Sequence, residues 1–188
     1  MGTEFGYEYM RIFLTGVSCV GKTTVGAKLA VLLGCQFFDL DKEIENFCSM
    51  PIERLQNKLL TMYSFRQEAS KALQHLLKRE DSRNSVIALP PSGLMDYYWN
   101  VVKRAKGTII VLTDDAANIL KRITFYDQDS NPIEKHLTEK EKSLYLKEIK
   151  KDIAYFNRTY KRADISVDIS GLSLDQAVKK VKEMLEQL

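Results

Sequence analysis

The stretch Arg11-Ile12-Phe13-Leu14-Thr15-Gly16-Val17-Ser18-Cys19-Val20-Gly21-Lys22-Thr23-Thr24 decides the fold. Its first five residues form a short β-rich run, and a helical pattern follows Thr23, so the segment reads strand, loop, helix. Gly16 to Thr23 fits the spacing GxxxxGK followed by Ser or Thr. The glycines permit a tight loop in which the backbone N–H groups of Ser18, Cys19, Val20 and Gly21 converge on phosphate oxygens. The N-terminus of the following helix adds its dipole. Lys22 supplies a mobile positive charge for β and γ phosphates, Thr23 a hydroxyl that ligates Mg²⁺, and Thr24 a hydroxyl for the α or β phosphate. Cys19 sits near a helix N-terminus and Lys22. Phosphoryl transfer to an alcohol needs no protein nucleophile, so Cys19 reads as a tolerated loop residue.

Outward from this loop, short β-rich runs alternate with longer helical stretches as far as the C-terminus. The strand candidates are residues 11–15, 36–39, 85–89, 108–112 and 165–168, mostly apolar on both faces, as a sheet covered by helices requires. The expectation is a three-layer α/β fold: a five-stranded parallel sheet with helices on both faces. Capping boxes at Thr138/Glu141 and Ser173/Gln176 predict the starts of the last two helices. Residues 126–137 hold Asp127, Asp129, Ser130, Asn131 and Pro132 with few apolar residues, and predict an exposed loop, the centre of a mobile lid over about residues 125–140. Residues 10–188 read as one domain. Residues 1–9 read as a vector-derived leader, because Gly2 to Phe5 resembles the translation of two adjacent cloning sites.

Composition narrows the function. The chain has 188 residues, 45% apolar and 28% charged, enough to bury roughly 70% of its extended surface without disulfides or a structural metal. A net charge of +3 is far from that of a dedicated nucleic-acid binder. Cys19, Cys35 and Cys48 are odd in number and lack metal-ligand spacing, which fits free thiols in a reducing cytoplasm. No apolar run approaches the roughly 20 residues that span a bilayer.

The second strand ends in Phe37-Phe38-Asp39-Leu40-Asp41, which puts two carboxylates at the sheet edge where ligands of open parallel sheets bind. Asp39 suits a water of the Mg²⁺ shell. Asp41 suits a hydrogen bond from a substrate hydroxyl, as its base. Asp39 also reads as a plain helix N-cap, and both readings stand at this point.

The stretch from Gly16 to Glu45, with GKTTVG, Leu29-Ala30, Leu33-Gly34, Phe38, Asp39-x-Asp41 and Ile44-Glu45, resembles the shikimate kinases, a branch of the nucleoside monophosphate kinase-like P-loop proteins. Phe65-Arg66 resembles the family's pair on its substrate-binding helix, and Ala163-Asp164 through Val167-Asp168 its last strand. The resemblance implies Asp41 for ring hydroxyls, Arg66 for the carboxylate, Arg158 as a second carboxylate arginine, and Arg122 against adenine. The chain departs from the family twice. After the third strand it has Pro90-Pro91-Ser92-Gly93 where the family has three glycines, which leaves the Ser92 and Gly93 amides to meet an acceptor, since proline has no N–H. Where the family's lid carries an arginine before a proline, this chain has Asn131 before Pro132, so Lys135 or a rearranged Arg122 would supply the charge.

The expected function is therefore an ATP- and Mg²⁺-dependent kinase for the 3-hydroxyl of shikimate. Lys22 and Asp41 are its catalytic residues; Thr23 and Asp39 hold the metal; Asp41, Arg66, Gly93 and Arg158 meet the acceptor. Two alternatives stay open: a kinase for another hydroxy acid, polyol or nucleotide, and a nucleotide-binding regulatory module without turnover. The expected partner is a small molecule, with no nucleic acid and no membrane, for a cytoplasmic monomer or weak dimer.

Overall fold

The computed structural model describes residues 10–188, so the leader reading of residues 1–9 lies outside the described residues. Strand β1 (Arg11–Thr15) buries Ile12, Phe13 and Leu14 completely, as a central strand covered on both faces must. The loop leads into α1 (Lys22–Leu33), which ends at Gly34 in the left-handed region at φ 66. Strand β2 (Gln36–Asp39) turns at once into α2 (Leu40–Cys48), followed by α3 (Ile52–Lys58) and α4 (Met62–Lys78). Strand β3 (Ser85–Ala88), α5 (Asp96–Val102), β4 (Thr108–Thr113) and α6 (Ala116–Leu120) come next. A small hairpin, β5 (Phe125–Tyr126) and β6 (Pro132–Ile133), precedes α7 (Glu139–Tyr160), β7 (Ile165–Asp168) and α8 (Leu174–Leu185).

The five long strands are parallel, in the order β2-β3-β1-β4-β7. The crossover from β1 to β2 runs one way along this sheet, while those from β2 to β3, β3 to β4 and β4 to β7 run the other. Right-handed crossovers then put α1 on one face and α4, α5 and α7 on the opposite one. The packing agrees, because α1 contacts α8, α4 contacts α5 and α6 contacts α7. Direction reverses between β1 and β3, which opens a crevice beyond their C-terminal ends. The phosphate loop after β1 and the Pro90-Pro91 segment after β3 flank that crevice.

Local signals carry through. Both capping boxes form, at Thr138/Glu141 and Ser173/Gln176. Helix α2 starts at Leu40 because the Asp39 side chain accepts the Asp41 amide at 3.0 Å. One expectation is corrected. Residues 126–137 include a hairpin strand pairing, with Phe125 opposite Ile133 and Tyr126 opposite Pro132, rather than loop alone. Asp127 organises its turn by accepting the amides of Asp129 at 2.8 Å and Asn131 at 2.9 Å. Such side-chain capping closes a turn without apolar burial, which is why hydrophobic periodicity does not reveal it.

Candidate active site

The loop between β1 and α1 is shaped by its glycines. Gly16 has φ +144, and a Cβ there would lie 2.5 Å from the Leu112 carbonyl oxygen. Gly21 has φ +111 and caps α1, while Cys19 takes φ 58 between them. The amides of Lys22, Thr23 and Thr24 open the helix, where no preceding turn accepts them, as in helix N-termini suited to hold an anion. Lys22 Nζ donates to the carbonyl oxygens of Gly16 and Val17, each at 2.9 Å. Burial lowers the Lys22 pKa to about 8, against the pull of Asp41 and Asp39, which favour its charge.

Two βα junctions meet beside this cradle. Thr23 Oγ1 donates to Asp39 Oδ2 at 2.6 Å, while the other Asp39 oxygen caps α2, so the metal and N-cap readings of Asp39 are compatible in one side chain. Asp41 stands in the first turn of α2. Desolvation, then the neighbouring Asp39, pushes its carboxyl up to about 6, with Lys22 pulling the other way. Asp41 still keeps surface open to the mouth of the crevice, so water moderates the effect of the surrounding protein.

Arg122 reaches the cradle from the end of α6: its Nε donates to Cys19 O at 3.1 Å and its Nη2 pairs with Asp114. Asn131 does not replace a lid arginine, since its side chain donates to Asp127 at 3.2 Å within the hairpin turn. Lys135 is turned aside as well, 3.3 Å from Glu141 and over the Phe125 ring at 5.0 Å. Arg122, unlike Lys135, contacts the loop. The hairpin tip itself touches the acceptor side, where Ser130 donates to Glu45 of α2 at 2.5 Å and Asp129 pairs with Arg54 of α3 at 2.5 Å.

On the acceptor side, Arg66 of α4 lies against α5, its Nη1 2.9 Å from Asp96 Oδ2. The hydroxyl of buried Tyr98 and Nε of Arg66 have no hydrogen-bond partner among the described residues. Two expectations need correction. The Gly93 amide is spent on a turn, donating to Pro90 O at 2.8 Å, so it is not free for an acceptor. Gly93 is required for packing instead, because a Cβ would fall 2.5 Å from that of Leu89. Arg158 is exposed and sits about 200° around α7 from Phe156, at 100° per residue. Phe156 stacks on Tyr160, and Tyr160 Oη donates to Pro91 O at 3.1 Å, so that face meets the acceptor loop and Arg158 points elsewhere. Arg162 contacts the segment instead, 2.5 Å from Leu94 O and over the Trp99 ring at 4.9 Å. Asp96, Tyr98 and Arg162 were not legible as site residues; of the aromatic run 97–99, which reads as core, Tyr98 is buried while Tyr97 and Trp99 are partly exposed.

The sequence profile described as Shikimate kinase matches residues 18–186. The chain belongs to the shikimate kinase family. It is 29% identical over 180 residues to the shikimate kinase of Chlorobium chlorochromatii, covering 94% of this chain and 90% of that one. The crystal structure of shikimate kinase from Aquifex aeolicus superposes with a TM-score of 0.70 at 28% identity, covering 94% and 96% of the two chains. The Acinetobacter baumannii shikimate kinase, determined in complex with shikimate, has a TM-score of 0.72 at 23% identity, covers 95% and 94%, and shows the shared fold. As a shikimate kinase family member, the protein is a phosphotransferase with an alcohol group as acceptor. No helix among the described residues is long and apolar enough to cross a membrane.

Proposed function

We propose that the protein transfers the γ-phosphoryl group of MgATP to the 3-hydroxyl of shikimate. The supporting observation is the juxtaposition of Lys22 and Thr23, on the phosphate loop, with Asp39 and Asp41 at the next strand end. The loop amides and Lys22 hold the triphosphate, and Arg122 lies beside them. Thr23 Oγ1 and Asp39 Oδ2 form a hard-oxygen pair that would hold Mg²⁺. Mg²⁺ bound there would neutralise charge on the β and γ phosphates. Asp41 accepts the hydroxyl proton and aligns the oxygen for attack, while Arg66 holds the acceptor's carboxylate. The hairpin tip, tied to α2 and α3, helps exclude water, the competing nucleophile.

A coupled assay of ADP release with shikimate and other hydroxy acids tests this. Shikimate-dependent turnover is expected; its absence from folded protein removes the acceptor assignment. A second reading, a different hydroxy acid or polyol as acceptor, is motivated by Pro90 and Pro91 and by the internal bond of the Gly93 amide. Thermal shift across an acceptor panel separates the two, because the true acceptor stabilises in proportion to its saturation. The three unpaired cysteines accord with work in the cytoplasm. Light scattering checks the expected monomer or weak dimer.

A further inference from the structure

The acceptor pocket contains a carboxylate that the proposed reaction does not use. Asp96, at the start of α5, accepts from Arg66 Nη1 at 2.9 Å. The Arg66 side chain is 15% exposed and that of Asp96 is 40%. Among the described residues no bond engages Arg66 Nε, so Asp96 does not grip the guanidinium side-on along that edge. Asp96 also takes φ 43, a region that costs a non-glycine residue energy and persists where the surroundings enforce it. Nearby, the Tyr98 hydroxyl is enclosed, without a hydrogen-bond partner among the described residues, and within electrostatic reach of both Asp41 and Arg66. The cation meant for an acceptor's carboxylate therefore already carries one, with Asp41 in the same pocket.

We propose that Asp96 is a specificity-determining residue that stands in for the acceptor's carboxylate on Arg66 and must be displaced when an acidic acceptor binds. The inference rests on the shikimate reading above. Two carboxylates against one guanidinium repel each other, and Asp41 adds a third negative charge. Asp96 is the partner that can leave, because its side chain reaches water whereas Arg66 is largely enclosed. While in place, Asp96 spares Arg66 from being held nearly buried without a counter-charge. Displacement costs affinity that a bare carboxylate cannot recover. Every carboxylate meets this cost, and an acceptor whose hydroxyls also bond Asp41 offsets it through those bonds, so Asp96 sets a threshold that a simple organic acid does not cross.

The test is Asp96→Asn, which keeps an oxygen for Arg66 Nη1, removes the charge and tolerates positive φ. The variant should lower KM for shikimate about tenfold with kcat within about twofold, and leave binding of shikimate's primary amide within about twofold by calorimetry. Benzoate, a ring carboxylate with no hydroxyl for Asp41, provides a readout independent of turnover. Its affinity should rise about tenfold in the variant. An unchanged or raised KM together with unchanged benzoate binding overturns the proposal, as does an equal shift for acid and amide, which would mark Asp96 as a simple brace. If shikimate is not turned over by the parent protein, the acceptor reading fails separately and the benzoate comparison still decides. Asp96→Gly, which suits the same backbone angle, repeats the test should the Asn variant fold poorly.

Discussion

Thr23 Oγ1 donates to Asp39 Oδ2 at 2.6 Å, joining the start of α1 to the end of β2 through one hydroxyl and one carboxylate. Asp39 also caps α2, so its two roles need separating. Asparagine caps a helix about as well as aspartate, whereas alanine costs about 0.5–2 kcal/mol. Asp39→Asn should leave Tm within about 2 °C of the parent while raising the Mg²⁺ concentration needed for half-maximal rate several-fold, at about 2–4 °C per kcal/mol for a chain of this size. A magnesium titration of the initial rate, beside a melting curve, checks both halves.

Lys22 Nζ donates to the loop carbonyls of Gly16 and Val17, and in the proposed reaction it carries the charge that meets the phosphates. Replacing it by Met should lower kcat about 10²–10³-fold, the scale of losing one preorganised charge donor in the transition state. Steady-state kinetics with a nucleotide-binding measurement reads the loss; unchanged turnover would remove Lys22 from the mechanism.

The pH profile of kcat/KM should be bell-shaped. Activity falls below about pH 6 as Asp41 takes up a proton, and above about pH 8 as Lys22 loses one. Since the two groups interact, these limits belong to the pair. The stability sign follows from the same shifts. The Asp41 pKa is raised from its ordinary value of 3.8, so the stability it contributes is full below that value and is lost as pH rises through about 6. Asp41→Asn should therefore raise Tm at pH 8 by a few degrees, on the order of 1 kcal/mol after allowing for its partial exposure to water. Differential scanning calorimetry at pH 4 and pH 8 measures the contrast.

Gly93→Ala puts a methyl 2.5 Å from Leu89 Cβ and 3.0 Å from Pro90 O. The expected cost is about 1–3 kcal/mol, the range for overpacking a core. Chemical denaturation reads it as a lower midpoint, and a neutral result would mean that the acceptor segment yields more easily than its packing indicates.

Ser130 joins the hairpin tip to Glu45 of α2, which also accepts the Ile52 amide at 3.1 Å. Ser130→Ala should loosen the tip and raise acceptor-independent ATP hydrolysis about two- to fivefold by admitting water. Phosphate release without acceptor, compared between variant and parent, is the measurement.

What could be read from the chain was local. A glycine spacing, alternating apolar runs and two capping boxes each act within a few residues, and all reappear in the structure. Asp39, Asp41, Lys22 and Thr23 come together because they lie at or just beyond the C-terminal ends of β1 and β2, which the parallel order puts on one edge of the sheet. The failures depend on partners far apart in sequence. Arg66 meets Asp96 thirty positions on, and Glu45 meets Ser130 eighty-five positions on. Arg158 misled for a subtler reason, because a shift in helical phase turns a side chain from the acceptor segment to solvent. Gly93 misled because its amide has a neighbour, Pro90 O, that only the folded turn reveals.

Helix α7 runs unbroken for 22 residues, about 33 Å at 1.5 Å per residue. It begins just after the hairpin and ends where Tyr160 and Arg162 fasten onto Pro91 and Leu94. Its N-terminal part packs Tyr145 against Phe125 of the hairpin, so one stiff rod joins the hairpin to the segment after β3. A rod of that kind cannot tilt at one end alone, so a displacement of the hairpin should be transmitted to the Pro91 segment.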